Sequence, residues 1–86
     1  MNISVELTLT PLTDQFEAPI INFINRLRAS GLQVLENPLS TQVYGDYDVV
    51  MQILNREIKA TFELMDQGLL YMKIVKTDRS GYEPHI

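Results

Sequence analysis

Polar and aromatic side chains that could hold a small ligand are concentrated in residues 38–51, PLSTQVYGDYDVVM. Ser40, Thr41 and Gln42 supply hydroxyl and amide groups, and Tyr44 supplies an aromatic ring. Hydroxyls and amides both donate and accept hydrogen bonds, while the face of an aromatic ring attracts cations. A site built from these groups would suit a small polar or cationic molecule.

Two carboxylates follow Gly45 in the same stretch. We expect Asp46 to be the N-cap of a helix that begins at Tyr47 or Asp48, because a short acidic side chain can accept hydrogen bonds from the free N–H groups there. Asp48 would then lie in the first turn, where the helix dipole favours negative charge. No third ligand is near them in sequence, so we expect neither a metal site nor a cofactor.

Glu6 is the other candidate, and it lies in a segment of strict alternation, residues 2–10. A period of two over this length predicts a half-buried strand, which Pro11 would end. Glu6 could accept a hydrogen bond from a ligand amine or pair with a cationic ring. It could instead form a salt bridge with Lys73 or with a neighbouring subunit. The apolar side of this strand carries Ile3, Val5, Leu7 and Leu9.

The remaining elements follow from apolar spacing. Recurrence at three and four residues predicts one helix over 17–30 and another over about 47–65, while shorter segments predict strands at 32–36, 40–45 and 69–76. The first helix has the stripe Phe16, Ile20, Ile24 and Leu27, with Ile21 and Phe23 beside it. The second has Val50, Leu54, Ile58, Phe62 and Met65, and Leu70, Met72 and Ile74 of the last strand are expected to face the helices.

The order strand-helix-strand-strand-helix-strand predicts an α+β fold of the ferredoxin-like βαββαβ type. Its antiparallel sheet of four strands would carry both helices on one face. Residues 1–76 would form a single domain, followed by a polar tail over 77–86. The face without helices would carry Ser4, Glu6, Thr8, Ser40, Gln42, Tyr44, Tyr71 and Lys73.

Composition excludes several function classes. The chain has 86 residues, a formal charge of −4 and no cysteine. Nucleic acid and anionic membrane surfaces are therefore poor partners, and disulfides and thiolate chemistry are ruled out. A chain this short buries only about 60–65% of its unfolded surface, which favours oligomerisation. Without a signal peptide or an apolar membrane span in the sequence, we expect a cytoplasmic location.

Catalysis has little support in the sequence. His85 is the only histidine and lies one residue from the end, where a fixed geometry for a general base is hard to achieve. The sequence lacks a Ser-His-acid arrangement, a phosphate-binding glycine loop and a carboxylate pair with distinct acid and base roles. We therefore expect a protein that is not an enzyme.

Three segments carry a family resemblance: ISVELTLTPL at 3–12, SGLQV at 30–34 and LSTQVYGDYDVVM at 39–51. They resemble the thiamine/hydroxymethylpyrimidine-binding family, the YkoF-like or thiamine-binding-protein group, over almost the whole chain. The resemblance implies a ferredoxin-like domain that forms homodimers or homotetramers through open sheet faces. It also implies binding of thiamine, or of its hydroxymethylpyrimidine moiety, at a subunit interface without turnover.

The resemblance also suggests which residues bind the ligand. It implies Glu6 on the first strand, Ser40, Thr41 and Tyr44 on the third, and Asp48 at the helix start, while residue chemistry adds Gln42. Alternation alone points Thr41 toward the helices, so only the resemblance places it in the site. The alternative hypothesis is a ferredoxin-like oligomer with a structural or regulatory role and no small-molecule ligand.

Overall fold

A computed structural model describes residues 1–84, and His85 lies outside that range. The six predicted elements are present in the predicted order, and their ends differ from the predicted ones by no more than two residues. They are β1 (Asn2–Pro11), α1 (Glu17–Ala29), β2 (Gln33–Glu36), β3 (Thr41–Asp46), α2 (Tyr47–Glu63) and β4 (Gly68–Val75). None of the helices in this range combines the length and apolarity needed to cross a membrane.

The sheet has the strand order β2-β3-β1-β4, and every neighbouring pair is antiparallel. The α+β ferredoxin-like prediction is therefore confirmed. β1 and β3 are the central strands. The register places Glu6 directly between Gln42 of β3 and Lys73 of β4.

The core lies between the sheet and the two helices. Alternation along β1 and the stripes of three and four residues place the same apolar side chains inward, as predicted from the sequence. The core residues are all between 0% and 8% exposed: Ile3, Val5, Leu7, Leu9, Phe23, Ile24, Leu27, Val43, Val50 and Leu54.

Parts of the predicted stripes are exposed instead. Phe16 precedes the first residue of α1, so helical spacing does not place it on the buried face. Ile21, expected beside the stripe of α1, and Phe62, expected within the stripe of α2, are also exposed. Arg26 of α1 is half-buried between the helices, with its Nε 3.9 Å from a carboxylate oxygen of Glu57.

β4 has the predicted orientation but is only partly covered. Met72 pairs with Leu7 and Ile74 pairs with Val5, so both lie on the helix-facing side of the sheet. Both are nevertheless exposed, because β4 is the outermost strand, and only Leu70 of its helix-facing residues packs against the core.

The junction between β3 and α2 is fixed by Gly45 and Asp46. Gly45 has φ +156°, and a Cβ at this position would lie 3.2 Å from the Cγ2 atom of Val50. Asp46 is the N-cap, as predicted, and accepts a hydrogen bond from the backbone N–H of Asp48 at 3.1 Å. The Met1 ammonium group also donates to Asp46, at 3.2 Å, and this hydrogen bond lowers the pKa of the Asp46 carboxyl below its ordinary value.

Candidate functional site

A cleft of about 160 Å³ lies on the sheet face that carries no helix. It is centred on β1 and bordered by β3, β4 and the segment that follows β4. Its lining residues are Ser4, Val5, Glu6, Gln42, Tyr44, Lys73, Val75 and Arg79.

The Glu6 carboxylate is held by a chain of two hydrogen bonds. The amide Nε2 of Gln42 donates to Ser40 Oγ at 2.6 Å, and Ser40 Oγ donates to Glu6 Oε2 at 3.1 Å. Hydrogen bonds to a charged acceptor are stronger than neutral ones, so this chain fixes the orientation of the half-buried carboxylate. The structure therefore brings together three of the predicted site residues.

The turn before β3 positions Ser40. Asn37 Oδ1 accepts hydrogen bonds from the backbone N–H groups of Leu39 and Ser40 at 2.8 and 3.0 Å. The backbone N–H of Asn37 donates to the carbonyl oxygen of Ser40 at 3.0 Å. An asparagine side chain that replaces backbone partners in this way, followed by Pro38, is typical of a tight turn. The local sequence thus places the Ser40 hydroxyl over β1.

Tyr44 is the aromatic residue of the cleft. It pairs with Ser4 across β1 and with Gln33 across β2, and it is half-buried. Tyr71 lies on the same face of the sheet, opposite Thr8, but is largely exposed and does not line the cleft.

Two predicted site residues lie elsewhere. Thr41 pairs with Leu7 and is buried on the helix-facing side, as alternation alone indicated. Asp48 lies in the first turn of α2, where its backbone N–H contacts the Asp46 cap, and it does not line the cleft. Thr41 cannot reach the open face without a change of register, because neighbouring residues of a strand point to opposite faces.

The segment after β4 contributes Arg79 to the cleft, and this residue was not predicted from the sequence. Ser4 Oγ donates to the carbonyl oxygen of Thr77 at 2.7 Å and accepts from the backbone N–H of Arg79 at 2.8 Å. Asp78 then accepts two hydrogen bonds from Ser80, which lower the pKa of the Asp78 carboxyl. An Asp-x-Ser turn signal is visible in the sequence, but nothing there links this turn to Ser4.

Arg79 changes the charge of the site. The cleft contains one carboxylate, Glu6, and two cations, Lys73 and Arg79. Lys73 is the direct cross-strand neighbour of Glu6, yet Glu6 takes part in none of the ion pairs found within residues 1–84. The side chains of that range contain no cluster of three metal-ligating residues. The cleft can thus accept a hydrogen bond from a ligand through Glu6 and attract an anionic group of the same ligand through Lys73 and Arg79.

A second cleft, of about 270 Å³, lies between the helices. It is lined by Ala18, Pro19, Asn22, Arg26, Thr61 and Leu64. The Arg26 Nη1 atom is buried there without a hydrogen-bond partner in the described part of the chain. This interhelical cleft is larger, but the lining given above contains no carboxylate. The nearby carboxylate of Glu57 is paired with Arg56 at 2.9 Å.

No protein-family model matches the chain, and no curated protein does either. Solved structures do match. A Streptococcus pneumoniae protein is 24% identical, with a TM-score of 0.84 over 91% of this chain and 89% of that one. A Thermotoga maritima protein, whose role in thiamine biosynthesis or salvage is itself only proposed, is 15% identical, with a TM-score of 0.81 over 90% and 85%.

A domain of unknown function from Bacillus cereus, DUF77, is also similar. It is 16% identical, with a TM-score of 0.75 over 96% of this chain and 83% of that one. At these identities the likeness establishes the fold, which is that of a ferredoxin-like α+β domain.

Proposed function

We propose that the chain binds a small polar molecule in the open-face cleft, and that this molecule is thiamine or its hydroxymethylpyrimidine moiety. The observation that carries the proposal is the Glu6 carboxylate, oriented by Ser40 and Gln42 and adjacent to Tyr44 on an uncovered sheet face. The fold neighbour from Thermotoga maritima, for which a role in thiamine biosynthesis or salvage has been proposed, supports the choice of ligand.

The free acceptor oxygen of Glu6 suits an aminopyrimidine. Ser40 engages Glu6 Oε2, so Oε1 is the oxygen that would accept a hydrogen bond from the exocyclic amine of the ligand. Tyr44 offers a ring face that attracts a cation, as in the thiazolium ring of thiamine. These two contacts would fix one end and one face of the ligand.

The size of the cleft supports binding at a subunit interface. Ligand pockets commonly enclose about 300–1,000 Å³, and this cleft has about 160 Å³. One chain would therefore hold the pyrimidine half, and a second subunit over the open face would enclose the remainder. The resulting assembly would be a homodimer or a homotetramer.

The two cations favour a ligand that also carries negative charge. Lys73 and Arg79 border the cleft beside Glu6. A phosphate ester of thiamine or of the pyrimidine would place its anionic group near them, while its amine reaches Glu6. We therefore expect phosphorylated forms to bind more tightly than the free compounds.

We propose that binding occurs without turnover. General acid–base catalysis requires titratable groups with separate roles, and within residues 1–84 the lining of this cleft supplies a single carboxylate, Glu6. The role would be that of a carrier or a sensor.

A second candidate function is an oligomeric structural or regulatory protein with no small-molecule ligand. Three large side chains on the open face favour it: Leu35, Leu69 and Tyr71 are all exposed there. Under this hypothesis, the open faces of two subunits pack together and fill the cleft, so the folded oligomer binds no ligand.

Isothermal titration calorimetry with thiamine and with free hydroxymethylpyrimidine tests the proposal. Glu6→Gln should lower the affinity for thiamine by roughly 10–150-fold, because a hydrogen bond to a charged group contributes about 1.5–3 kcal/mol. Glu63→Gln, a change at an exposed carboxylate on α2, is the matched control and should leave the affinity unchanged. Absence of heat at millimolar ligand, with folded and oligomeric protein, would favour the second candidate.

A further inference from the structure

The interhelical cleft differs from the open-face cleft in its charge. Ala18, Asn22 and Arg26 of α1 are spaced four residues apart, so they share one side of the helix and form one wall. Thr61 of α2 and its C-cap residue, Leu64, border the other side. Arg26 is the one charged residue in this lining within residues 1–84. The cleft therefore has a cation at one end and neutral groups along the rest of its length.

The Arg26 guanidinium is poorly satisfied by the chain itself. Its Nε lies 3.9 Å from a carboxylate oxygen of Glu57, a distance too long for a hydrogen bond. The other oxygen of Glu57 is paired with Arg56 at 2.9 Å. Arg26 Nη1 is buried and has no hydrogen-bond partner within residues 1–84. A buried N–H donor of a charged group is costly without an acceptor, so this atom favours an anionic partner.

We propose that the interhelical cleft binds a small organic carboxylate and that Arg26 holds its anionic group. Glu57 lies on the Nε side of the guanidinium, so the side that carries Nη1 is the one that would face the ligand. The planar guanidinium can donate two parallel hydrogen bonds to the two oxygens of a carboxylate. The two clefts share no lining residue, so this proposal does not depend on the ligand of the open face.

Two neutral polar side chains lie beside Arg26 in the cleft. Thr61 is only 5% exposed, yet its side chain carries a hydroxyl group. Asn22 lies one helical turn before Arg26 on the same wall. A hydroxyl and an amide can each donate a hydrogen bond to a carboxylate oxygen. These groups would supplement the guanidinium without adding a competing negative charge.

The rest of the lining suits a short aliphatic chain. Pro19 and Leu64 contribute apolar surface, and Ala18 contributes only a methyl group. Leu64 is 70% exposed in the chain, so a ligand against it would remove apolar surface from water. The cleft volume of about 270 Å³ is just below the range of about 300–1,000 Å³ that is common for drug-sized ligands. We therefore expect a carboxylate with a chain of a few carbon atoms.

The number of cations favours a carboxylate over a phosphate. A phosphate group has more acceptor oxygens and more negative charge than a carboxylate, so one arginine satisfies it less completely. The open-face cleft, with Lys73 and Arg79, is better suited to a phosphate. The two clefts should therefore select different anions.

Amide chemical-shift mapping with valerate tests the proposal. Titration of the isotope-labelled protein with valerate should shift the amides of Asn22, Arg26 and Thr61 in a saturable way. Valeramide has the same shape without the charge and should leave these amides unshifted at the same concentrations. Acetate, which lacks the aliphatic chain, and inorganic phosphate should both bind more weakly than valerate.

Variants of Arg26 provide the second measurement. Arg26→Gln should lower the affinity for valerate by roughly tenfold or more, the factor expected for loss of a hydrogen bond to a charged group. Arg26→Lys retains the charge beside Glu57 but loses the planar guanidinium, so it should fold and still bind valerate more weakly than wild type. Arg28→Gln is the matched control, because Arg28 is an exposed arginine of the same helix outside the cleft lining.

Thermal unfolding gives a readout that does not depend on chemical shifts. Valerate should raise the Tm of wild type and of Arg28→Gln, and it should raise the Tm of Arg26→Gln much less, because a ligand stabilises only the fold that binds it. Valerate shifts centred on Lys73 and Arg79, equal binding of valeramide, tighter binding of phosphate than of valerate, or wild-type affinity in both Arg26 variants would overturn the proposal.

Discussion

The two sides of β1 are built in different ways, although they alternate residue by residue along one strand. The helix-facing side chains of Ile3, Val5 and Leu7 are each 1% exposed and belong to one core cluster with buried side chains of α1, α2 and β3. The open-face side chains of Ser4 and Glu6 are held by hydrogen bonds to residues far away in the sequence. Packing of side-chain volume holds the helix-facing side, and hydrogen bonds hold the open side. Substitutions on the two sides should therefore have separable effects on stability and on binding.

The largest effect is expected on the packed side. Leu7→Ala should lower the free energy of unfolding by about 2–5 kcal/mol, because it removes buried methyl groups and leaves a cavity. Urea denaturation followed by circular dichroism would measure the change. Leu39→Ala, at a largely exposed leucine, should change stability by no more than about 0.5 kcal/mol. Similar losses for both variants would contradict the packing account.

A smaller effect is expected at Ser4, the open-face hydroxyl that joins two strand ends. Ser4→Ala should cost about 1–3 kcal/mol, because it removes two part-buried hydrogen bonds, one to the carbonyl of Thr77 and one from the N–H of Arg79, each worth about 0.5–1.5 kcal/mol. Hydrogen exchange at the Arg79 amide should accelerate more than exchange at core amides. Thr8→Ala, which removes a longer 3.4 Å hydrogen bond at a partly exposed position, is the control. Unchanged Arg79 protection would show that Ser4 does not fix the segment.

The cations of the cleft should affect binding but not folding. Arg79→Ala should reduce the preference for a phosphorylated ligand over the free one by roughly 1.5–5-fold, since an exposed ion pair contributes about 0.2–1 kcal/mol. Calorimetry with thiamine and thiamine monophosphate would measure the ratio. Arg56→Ala, an exposed arginine on α2, should leave the ratio unchanged. An unaltered ratio in Arg79→Ala would remove Arg79 from the site.

The smallest effect is expected at Asp46, which lies at the end of β3 beside Met1 and outside both faces of β1. The pKa of Asp46 is lowered, chiefly by the hydrogen bond from the Met1 ammonium group. A carboxyl with a depressed folded pKa contributes stability above its ordinary pKa, which is 3.8 here, and loses it as pH falls through the folded value. Thermal unfolding of Asp46→Asn should therefore show a weaker acid dependence than wild type below about pH 4. The same acid dependence in both proteins would contradict this assignment.

The packed side could be predicted from the sequence because period and residue type decide it. The alternation of β1 and the spacing of Phe23, Leu27, Val50 and Leu54 identified the core and the βαββαβ order without any knowledge of distant contacts. The errors fell at margins: Phe16 lies outside α1, and Met72 and Ile74 lie on the correct side of a strand that the helices leave partly uncovered.

The open face was only partly predictable, because its groups meet through register. Alternation placed Glu6, Gln42 and Tyr44 on the correct side, and the turn at Asn37 brings Ser40 to them. Thr41 entered the prediction only through the family resemblance and lies on the helix-facing side. Arg79 was missed because the Ser4 contact that positions it spans 75 residues and leaves no periodic signal.

The central claim is that the open-face cleft is the ligand site, and chemical-shift mapping tests it most directly. On titration of the isotope-labelled protein with thiamine, the largest amide shifts should occur at Glu6, Gln42 and Tyr44 and at Arg79. The amides of Asn22, Arg26 and Thr61 in the interhelical cleft should not move. Shifts concentrated in the interhelical cleft, or none at saturating ligand, would contradict the claim.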